Sequence, residues 1–443
     1  MKFKIIVLIL VIILLISCSR NIKTNQPNVI LIMVDDMGYE CLSTYGNLDY
    51  QTSFLDSLAN NGIKFNNCIS QPLCTPSRVK IMSGLYNYKN YEHFGYLNDR
   101  EYTFGNLMKD AGYTTCISGK WQLNGLAYKD SIKNWNDKTR AKIFGFDEYC
   151  LWQYTKTRAE GERYSQPLIE QNGIVLSTNK DDYGPDIFSN FILNFIDSNK
   201  NNPFFIYYPM VLVHDPFVPT PDSDVWNNPD LKYKNDTTYF KDMVIYVDKI
   251  VKKIVMQLRK NNLEENTLIL FTGDNGNHTS IYTNTKNGII QGGKGNTTDA
   301  GTHVPLIAYW PSKIKNNIEY NGLIDFCDFM PTLADLVNRK VESDGVSFYN
   351  LLMNKKHNQK DLMFLHYDPK WGKNVNKYRN QFARNVDYKL YRDGRFINLK
   401  KDILEENPLE INSLSNRELL IYQQLNEELR KHPPMLNKTN FVK

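Results

Sequence analysis

Three short stretches carry residue types that can do chemistry. Asp35-Asp36 and Asp274-Asn275 each place hard oxygen ligands directly after an apolar run. Carboxylate and amide oxygens converging on one place suit Ca²⁺ or Mg²⁺, whereas a transition metal would call for imidazole or thiolate. Either pair taken alone also fits an ordinary loop or turn, where Asp and Asn are common. The third stretch, "LCTPSRVKIMSG" from Leu73 to Gly84, sets Cys74 four residues before Arg78. Its cysteine is either a buried thiol in a turn or the reactive centre of the protein.

The runs that deliver these residues read as buried strands. "NVILIMV" (Asn28 to Val34) is continuously apolar and stops at Asp35-Asp36. Such runs mark strands covered on both faces in a parallel sheet. "YTTCIS" (Tyr113 to Ser118) ends at Gly119-Lys120, "PFFIYYPMVLVH" delivers His214, and "NTLILFTGDNG" delivers Asp274 and Asn275. Between them lie helical patterns. Ile187, Phe191 and Phe195 recur at spacing four, and Met243, Val247, Ile250, Ile254 and Leu258 line one stripe. Strands alternating with helices predict an α/β fold with a mostly parallel central sheet flanked by helices. In such sheets, sites assemble at the carboxyl ends of strands, where all of these polar residues fall.

After about residue 340 the pattern changes. "QFARNVDYKLYRDGRFINL" (Gln381 to Leu399) reads as two strands joined at Arg392-Asp393-Gly394, a hairpin signal. "NRELLIYQQLNEELRKH" is an amphipathic helix ended by Pro433-Pro434. A smaller C-terminal α+β domain with antiparallel strands is therefore expected over 346–443, beside a large α/β domain over 27–345.

The 443 residues are 42% hydrophobic and 23% charged, the balance of a globular protein. The formal net charge is +5, falling to +3 once Lys2 and Lys4 leave with residues 1–17. That is compatible with an anionic ligand. No dense Lys/Arg stripe with interleaved aromatics is present, so nucleic acid is not an expected partner.

"MKFK" followed by the apolar run Ile5 to Ile16 has the form of a secretory leader. Twelve residues fall short of the roughly 20 that a spanning helix needs. "LISC", Leu15 to Cys18, resembles a bacterial lipobox. That resemblance implies a signal peptide over 1–17, a lipid on Cys18, a polar tether over 18–26 and anchoring to the bacterial cell envelope. The other six cysteines, Cys41, Cys68, Cys74, Cys116, Cys150 and Cys327, contain no CxxC pair and form no dense disulfide framework.

Around Cys74 the chain resembles the type I sulfatases of the alkaline-phosphatase superfamily, whose signature is C-x-P-S-R followed by x-x-L-x-T-G. Cys74, Pro76, Ser77 and Arg78 match it, and Ile81, Ser83 and Gly84 continue it with conservative changes at the first two. The likeness runs on in order through "NVILIMVDDMG", "GKWQLNG", "VHDPFVPTP", "TGDNG", "GGKGNTTDAGTHVPLIAYWP", "DFMPTLADL" and "DGVSF", covering residues 28 to 350.

The resemblance implies a sulfuric ester hydrolase in which Cys74 is oxidised to formylglycine by a formylglycine-generating enzyme. Asp35, Asp36, Asp274, Asn275 and residue 74 would hold a Ca²⁺. One hydroxyl of the aldehyde hydrate would attack sulfur in line, with the second driving sulfate release. Arg78 would orient the hydrate, Lys120 and Lys294 would pair with sulfate oxygens, and His214 with Lys294 would protonate the leaving oxygen. His278 and His303 either face the sugar or are satisfied surface histidines.

Gln122 stands where the family usually has histidine. Its amide can orient a hydroxyl but cannot accept a proton near neutral pH. Release must then use another base or a water chain, or the protein is a non-catalytic sulfoglycan-binding lipoprotein. A phosphatase or phosphodiesterase of the same superfamily is the remaining alternative. Those use Ser or Thr and typically two transition metals with several His ligands, and this chain has 7 His in all. The expected substrate is a sulfated polysaccharide or glycosaminoglycan.

Overall fold

The computed structural model describes residues 26–371 and 376–435. The leader, Cys18 and all of the tether but Gln26 lie outside them. Among the described residues, no helix is long and apolar enough to cross a membrane, and all six cysteines are free and buried.

The strand-like runs assemble into one ten-stranded sheet. Its strands are β1 (Asn28–Val34), β2 (Ile63–Ile69), β3 (Thr114–Lys120), β4 (Glu148–Trp152), β5 (Ile169–Gln171), β6 (Ile174–Val175), β7 (Phe204–Pro209), β8 (Thr267–Gly273), β11 (His303–Tyr309) and β12 (Ile318–Asp325). A separate hairpin, β9 (Tyr282–Thr285) and β10 (Gly288–Gln291), projects from the chain after β8. The order across the large sheet is β12-β2-β11-β8-β1-β7-β3-β4-β5-β6. Its centre, from β8 through β4, is parallel throughout. β11 runs against both of its neighbours, and the β5–β6 edge is antiparallel.

β1 lies in the middle, with Val29 beside Phe205 and Leu268. All seven of its residues are buried, which is why the sequence shows a continuous apolar run and no alternation. One face packs on α1 (Ser53–Asn60), α4 (Gly184–Ser198) and α5 (Phe240–Lys260), through Leu55, Phe188, Phe195, Met243 and Ile254 among others. The other face packs on α2 (Cys74–Ser83), α3 (Phe104–Asp110) and α6 (Phe329–Leu336), through Val79, Leu107 and Leu333. Helix, sheet and helix therefore form three layers.

A second sheet, antiparallel in the order β13 (Met363–Tyr367), β14 (Asn380–Arg384), β15 (Tyr388–Tyr391), β16 (Phe396–Asn398), stands beside the first. The expected hairpin at 392–394 joins β15 to β16, with Gly394 at φ 95°. The stretch from Gln381 holds three strands instead of two. Asn385 breaks the first, because its side-chain oxygen accepts from the N–H groups of Asp387 and Tyr388 and folds the chain back.

Alternate residues of this sheet face opposite ways. Phe364, Ala383 and Leu390 meet Leu425 and Leu429 of α7 (Asn416–Arg430). That helix starts in a capping box between Ser415 and Glu418. Met363, Leu365, Tyr367, Phe382 and Tyr391 turn the other way and pack on Ile69, Leu323 and Leu73. The small sheet thus presses directly on the residue before Cys74.

Candidate active site

Every strand that the sequence marks as delivering a polar residue ends at the same place. Asp35 and Asp36 follow β1, Lys120 closes β3, Asp274 and Asn275 follow β8, and His214 lies five residues beyond β7. Asp35 is tied to the chain after β7 by its N–H on Leu212 O at 2.7 Å and its carbonyl on Val213 N at 2.7 Å. Asp36 sits at φ 59°, in the left-handed region. Its N–H bonds Asp274 Oδ1 at 2.9 Å, and its Oδ1 accepts from Asn275 Nδ2 at 2.8 Å. The two acidic pairs are therefore joined edge to edge.

Cys74 is the first residue of α2 and is 4% exposed. Pro76 sits in the first turn, where a missing N–H costs no helical bond. Gly84, at φ 72°, ends the helix and donates to Lys80 O. Ser77 turns back and donates to the carbonyl of Asp274 at 2.5 Å, locking α2 against the loop after β8. Arg78, on the inner face, donates to the carbonyls of Lys120 at 3.0 Å and Trp121 at 3.3 Å. Its Nη2 lies 3.5 Å from Asp274 Oδ2 and 3.8 Å from Asp35 Oδ1.

Lys294 is carried by a glycine-rich turn. A Cβ at Gly276 would lie 1.8 Å from Ala300 O, and one at Gly293 would lie 2.5 Å from Gly301 N. Only glycine allows these backbones to touch, and the contact brings Lys294 over the loop after β8. Its Nζ is 2.5 Å from Asp36 Oδ2 and 3.0 Å from His214 Nε2. Lys120 Nζ bridges both oxygens of Asp35 at 2.8 and 2.6 Å. Lys120 and Arg78 are sealed, whereas Lys294 and His214 keep about 15% of their side chains open, so access is from their side.

Ligand-capable atoms of Asp35, Cys74 and Asp274 all lie within 4.8 Å of one another, as do those of Asp35, Asp36 and His214. Asn275 Oδ1 is buried without a hydrogen-bond partner. Buried carboxylates facing each other beside an orphaned amide oxygen are a hard-oxygen donor set, and the residues fit Ca²⁺.

The electrostatics agree. Burial works to raise Asp35, but Lys120, His214, Arg78 and Arg163 together hold its carboxyl well below the usual range. Burial likewise opposes the ionised form of Asp36, and His214 and Lys294 bring it down. Asp274 goes the other way: burial and then the neighbouring Asp35 push it up to about 8. At Asp274, burial and the facing Asp35 thus outweigh the cations that reach it. Burial also depresses His214, with Lys294 and Arg163 adding to the effect against Asp36.

Two residues of this cluster carry no sequence signal. Arg163, buried between β4 and β5, approaches Asp35 Oδ2 to 3.6 Å and lies 4.1 Å over the Trp152 ring. Asp215 accepts from His214 Nδ1 through its backbone carbonyl at 2.7 Å, and its Oδ1 lies 2.9 Å from the same nitrogen. Gln122 is beside the cluster and not in it. At φ 50°, its amide N–H donates to Gln153, itself at φ 51°. His303 is 8% exposed with both nitrogens engaged, by Asp299 at 2.9 Å and Asn66 O at 2.9 Å. It is a satisfied core residue, stacked on Tyr39, and does not face a sugar. His278 bonds Ser280 at the rim.

Residues 27–339 match the family model described as Sulfatase, and residues 294–437 match the C-terminal model of N-sulphoglucosamine sulphohydrolase. The chain belongs to the sulfatase family, a family of sulfuric ester hydrolases of the alkaline-phosphatase superfamily. It is 27% identical over 369 residues to an arylsulfatase of Hemicentrotus pulcherrimus, covering 75% of this chain and 62% of that one. It is 26% identical over 430 residues to an N-acetylgalactosamine-6-O-sulfatase of Bacteroides thetaiotaomicron, covering 79% of this chain and 82% of the relative. Among solved structures, Ps i-CgsB superposes with a TM-score of 0.72 at 26% identity over 92% of each chain. The mostly parallel sheet with its small C-terminal partner is thus the sulfatase fold.

Proposed function

We propose that this sulfatase-family protein hydrolyses a sulfate ester on a carbohydrate, with residue 74 acting as formylglycine and with Asp35, Asp36, Asp274 and Asn275 holding a Ca²⁺. The observation that carries the reading is Cys74 at the head of α2, with its sulfur among the oxygens of Asp35 and Asp274 and with Arg78, Lys120 and Lys294 around them. The relative named for N-acetylgalactosamine-6-O-sulfate and the likeness to a protein crystallised with k-i-k-neocarrahexaose support a sulfated polysaccharide as substrate. Export and a lipid on Cys18 follow from the leader-like run and "LISC".

The bound cation would supply a Lewis acid beside residue 74 and would relieve the repulsion among the three aspartates. The aldehyde hydrate would supply the attacking hydroxyl and the second hydroxyl that a thiol lacks. Everything else belongs to the chain. Lys120 and Lys294 carry three donors each, so each can hold its aspartate and still reach a sulfate oxygen as charge grows there. Asp215 holds His214 through Nδ1, which turns Nε2 toward Lys294. Lys294 is then the group holding a proton at the leaving oxygen, and His214 orients it. Arg78, held by two carbonyls, keeps its charge on the residue 74 side.

Gln122 is the observation that favours a second reading, a sulfoglycan binder that does not turn over. Mass spectrometry of the residue 74 peptide from the native host, with a sulfate-release assay on the same preparation, separates the two. Conversion with release is the expected result. An unmodified Cys74 sinks the enzymatic reading, and conversion without release establishes the binder. Palmitate labelling that persists in Cys18→Ala would overturn the lipid anchor.

A further inference from the structure

Beside the charged cluster lies a second cavity of a different kind, about 250 Å³ in volume, walled by Phe94, Gly95, Gln122, Leu126, Gln153 and Trp371 among others. Among the described residues, no charged side chain lines it. Its wall is tied to the site: Gly95 N–H bonds Thr75 Oγ1 at 3.2 Å, next to Cys74, and Gln122 is two residues past Lys120. Phe94 and Trp371 form a stacked pair, with ring centroids 4.6 Å apart and planes at 30°. Trp371 is 38% exposed despite its size. Its strand-end segment is pinned to the site wall by Tyr91 OH on Pro369 O at 2.6 Å and Lys370 Nζ on Tyr91 O at 2.9 Å. In the same lining, Gln122 and Gln153 spend one donor and one acceptor on each other. Among the described residues neither amide has a further side-chain partner, so the pair keeps three N–H bonds, one on Gln122 and two on Gln153, and the Gln122 carbonyl oxygen to offer.

We infer that this cavity is the subsite for the sugar ring that carries the ester, and that it selects a ring with no second charge. An exposed aromatic plate and paired neutral amides lining one cavity suit a pyranose. Its C–H face packs on the negative faces of the rings, and its hydroxyls find both donors and acceptors across the cavity. The volume of about 250 Å³ is of the size of one sugar ring. A carboxylate or second sulfate on that ring would be taken from water with no cation among the described lining residues to meet it, which is costly. The glutamines thereby acquire a role. A residue that cannot titrate stands where the family usually has histidine, because here it reads sugar hydroxyls through a partner that is also a glutamine. Trp371 comes from the C-terminal part of the chain, so the subsite exists only when the small sheet is docked.

The inference rests on the sulfate-ester reading for what occupies the charged cluster, and its test is separable from that reading. The full-length protein with Cys74→Ala, which binds without turnover, is applied to an array of unsulfated, monosulfated and disulfated oligosaccharides, with and without Trp371→Ala. Inhibition of the unaltered enzyme by inorganic sulfate reports the charged cluster alone. Trp371→Ala is expected to weaken binding of singly sulfated neutral sugars about tenfold and raise KM with little change in kcat. Trp371→Phe should restore most of the loss, and inhibition by inorganic sulfate should not move. Thermal melting of the variant, whose ring is already partly in solvent, checks that it folds. Array binding that is indifferent to Trp371→Ala overturns the subsite, as does equal binding of rings carrying a second charge. If the converted protein releases no sulfate yet shows the predicted array pattern, the hydrolytic reading fails and the subsite stands.

Discussion

Helix α2 feeds two buried charge clusters, and they are built on opposite plans. Arg78 enters the active site, while Lys80, two residues on, enters a cluster with Asp325, Asp328 and Lys360. In the second cluster cations alternate with carboxylates. Lys80 Nζ meets Asp325, Lys360 Nζ lies 2.5 Å from Asp328, and Asp328 also accepts the backbone N–H groups of Val346 and Asp325, while Asp325 Oδ2 is buried without a partner. Burial depresses both lysines, but their aspartates more than reverse it. In the active site the carboxylates face each other, the cations stand outside them, and one amide oxygen has no partner. Interleaved charges, one lysine on each aspartate, are a structural device that the chain balances in charge by itself. Like charges facing inward leave a place for something the chain does not itself provide.

The strongest test exchanges the consequences of losing one carboxylate from each. Asp274→Asn should reduce sulfate release by on the order of 10³-fold or more and leave the chelator-treated protein about as stable as before, because it mimics the protonated carboxyl already favoured there. Asp325→Asn should do the reverse. It strands Lys80 in the interior at a cost of about 3–5 kcal/mol, read as a lowered melting temperature with kcat retained in the folded fraction. Equal destabilisation by the two changes would break the comparison.

Calcium sharpens it next. Titration into chelator-treated protein should raise the melting temperature, by about 2.7 kcal/mol of stability at a hundredfold excess over Kd, and Asp274→Asn should abolish the rise. A rise that survives that substitution would place the ion elsewhere.

Glu40 offers a third case, a buried carboxyl with no cation against it. Burial, with Asp299 adding, pushes it up from 4.5 to about 8. An acid raised in the folded state contributes stability that is complete below pH 4.5 and is lost as pH rises through about 8. Stability should therefore fall across that window by at most about 1.4 kcal/mol per pH unit, and Glu40→Gln should flatten the slope in urea titrations. The smallest expected effect is that of Gln122→His, which should change the pH profile of kcat without changing the inorganic sulfate inhibition constant. An unchanged profile would show that this position takes no part in proton transfer.

Much of the active site was legible because its residues sit at the ends of strands that announce themselves. A strand buried on both faces must be continuously apolar, so the point where Val34 gives way to Asp35, or Gly273 to Asp274, marks both the end of the strand and the start of the site. Asn385 was misread for the opposite reason. A single side chain turning the backbone competes with a strand pattern that remains favourable on both sides of it. Arg163 and Gln153 had no local signal at all. Each acts through a neighbour distant in the sequence, Asp35 in one case and Gln122 in the other.

The sequence by itself determined the α/β class, the ordered motifs and the identities of the residues proposed to bear the nucleophile and to donate oxygens. Their types and their strand-end positions are local properties. Tertiary structure decided how charge is distributed among them. It aimed Asp35 and Asp274 at each other, turned Gln122 toward Gln153, buried His303 against the carbonyl of Asn66 and brought Trp371 over Phe94 from the far end of the chain. These are contacts between residues separated by tens to hundreds of positions, and packing alone brings them within range of one another.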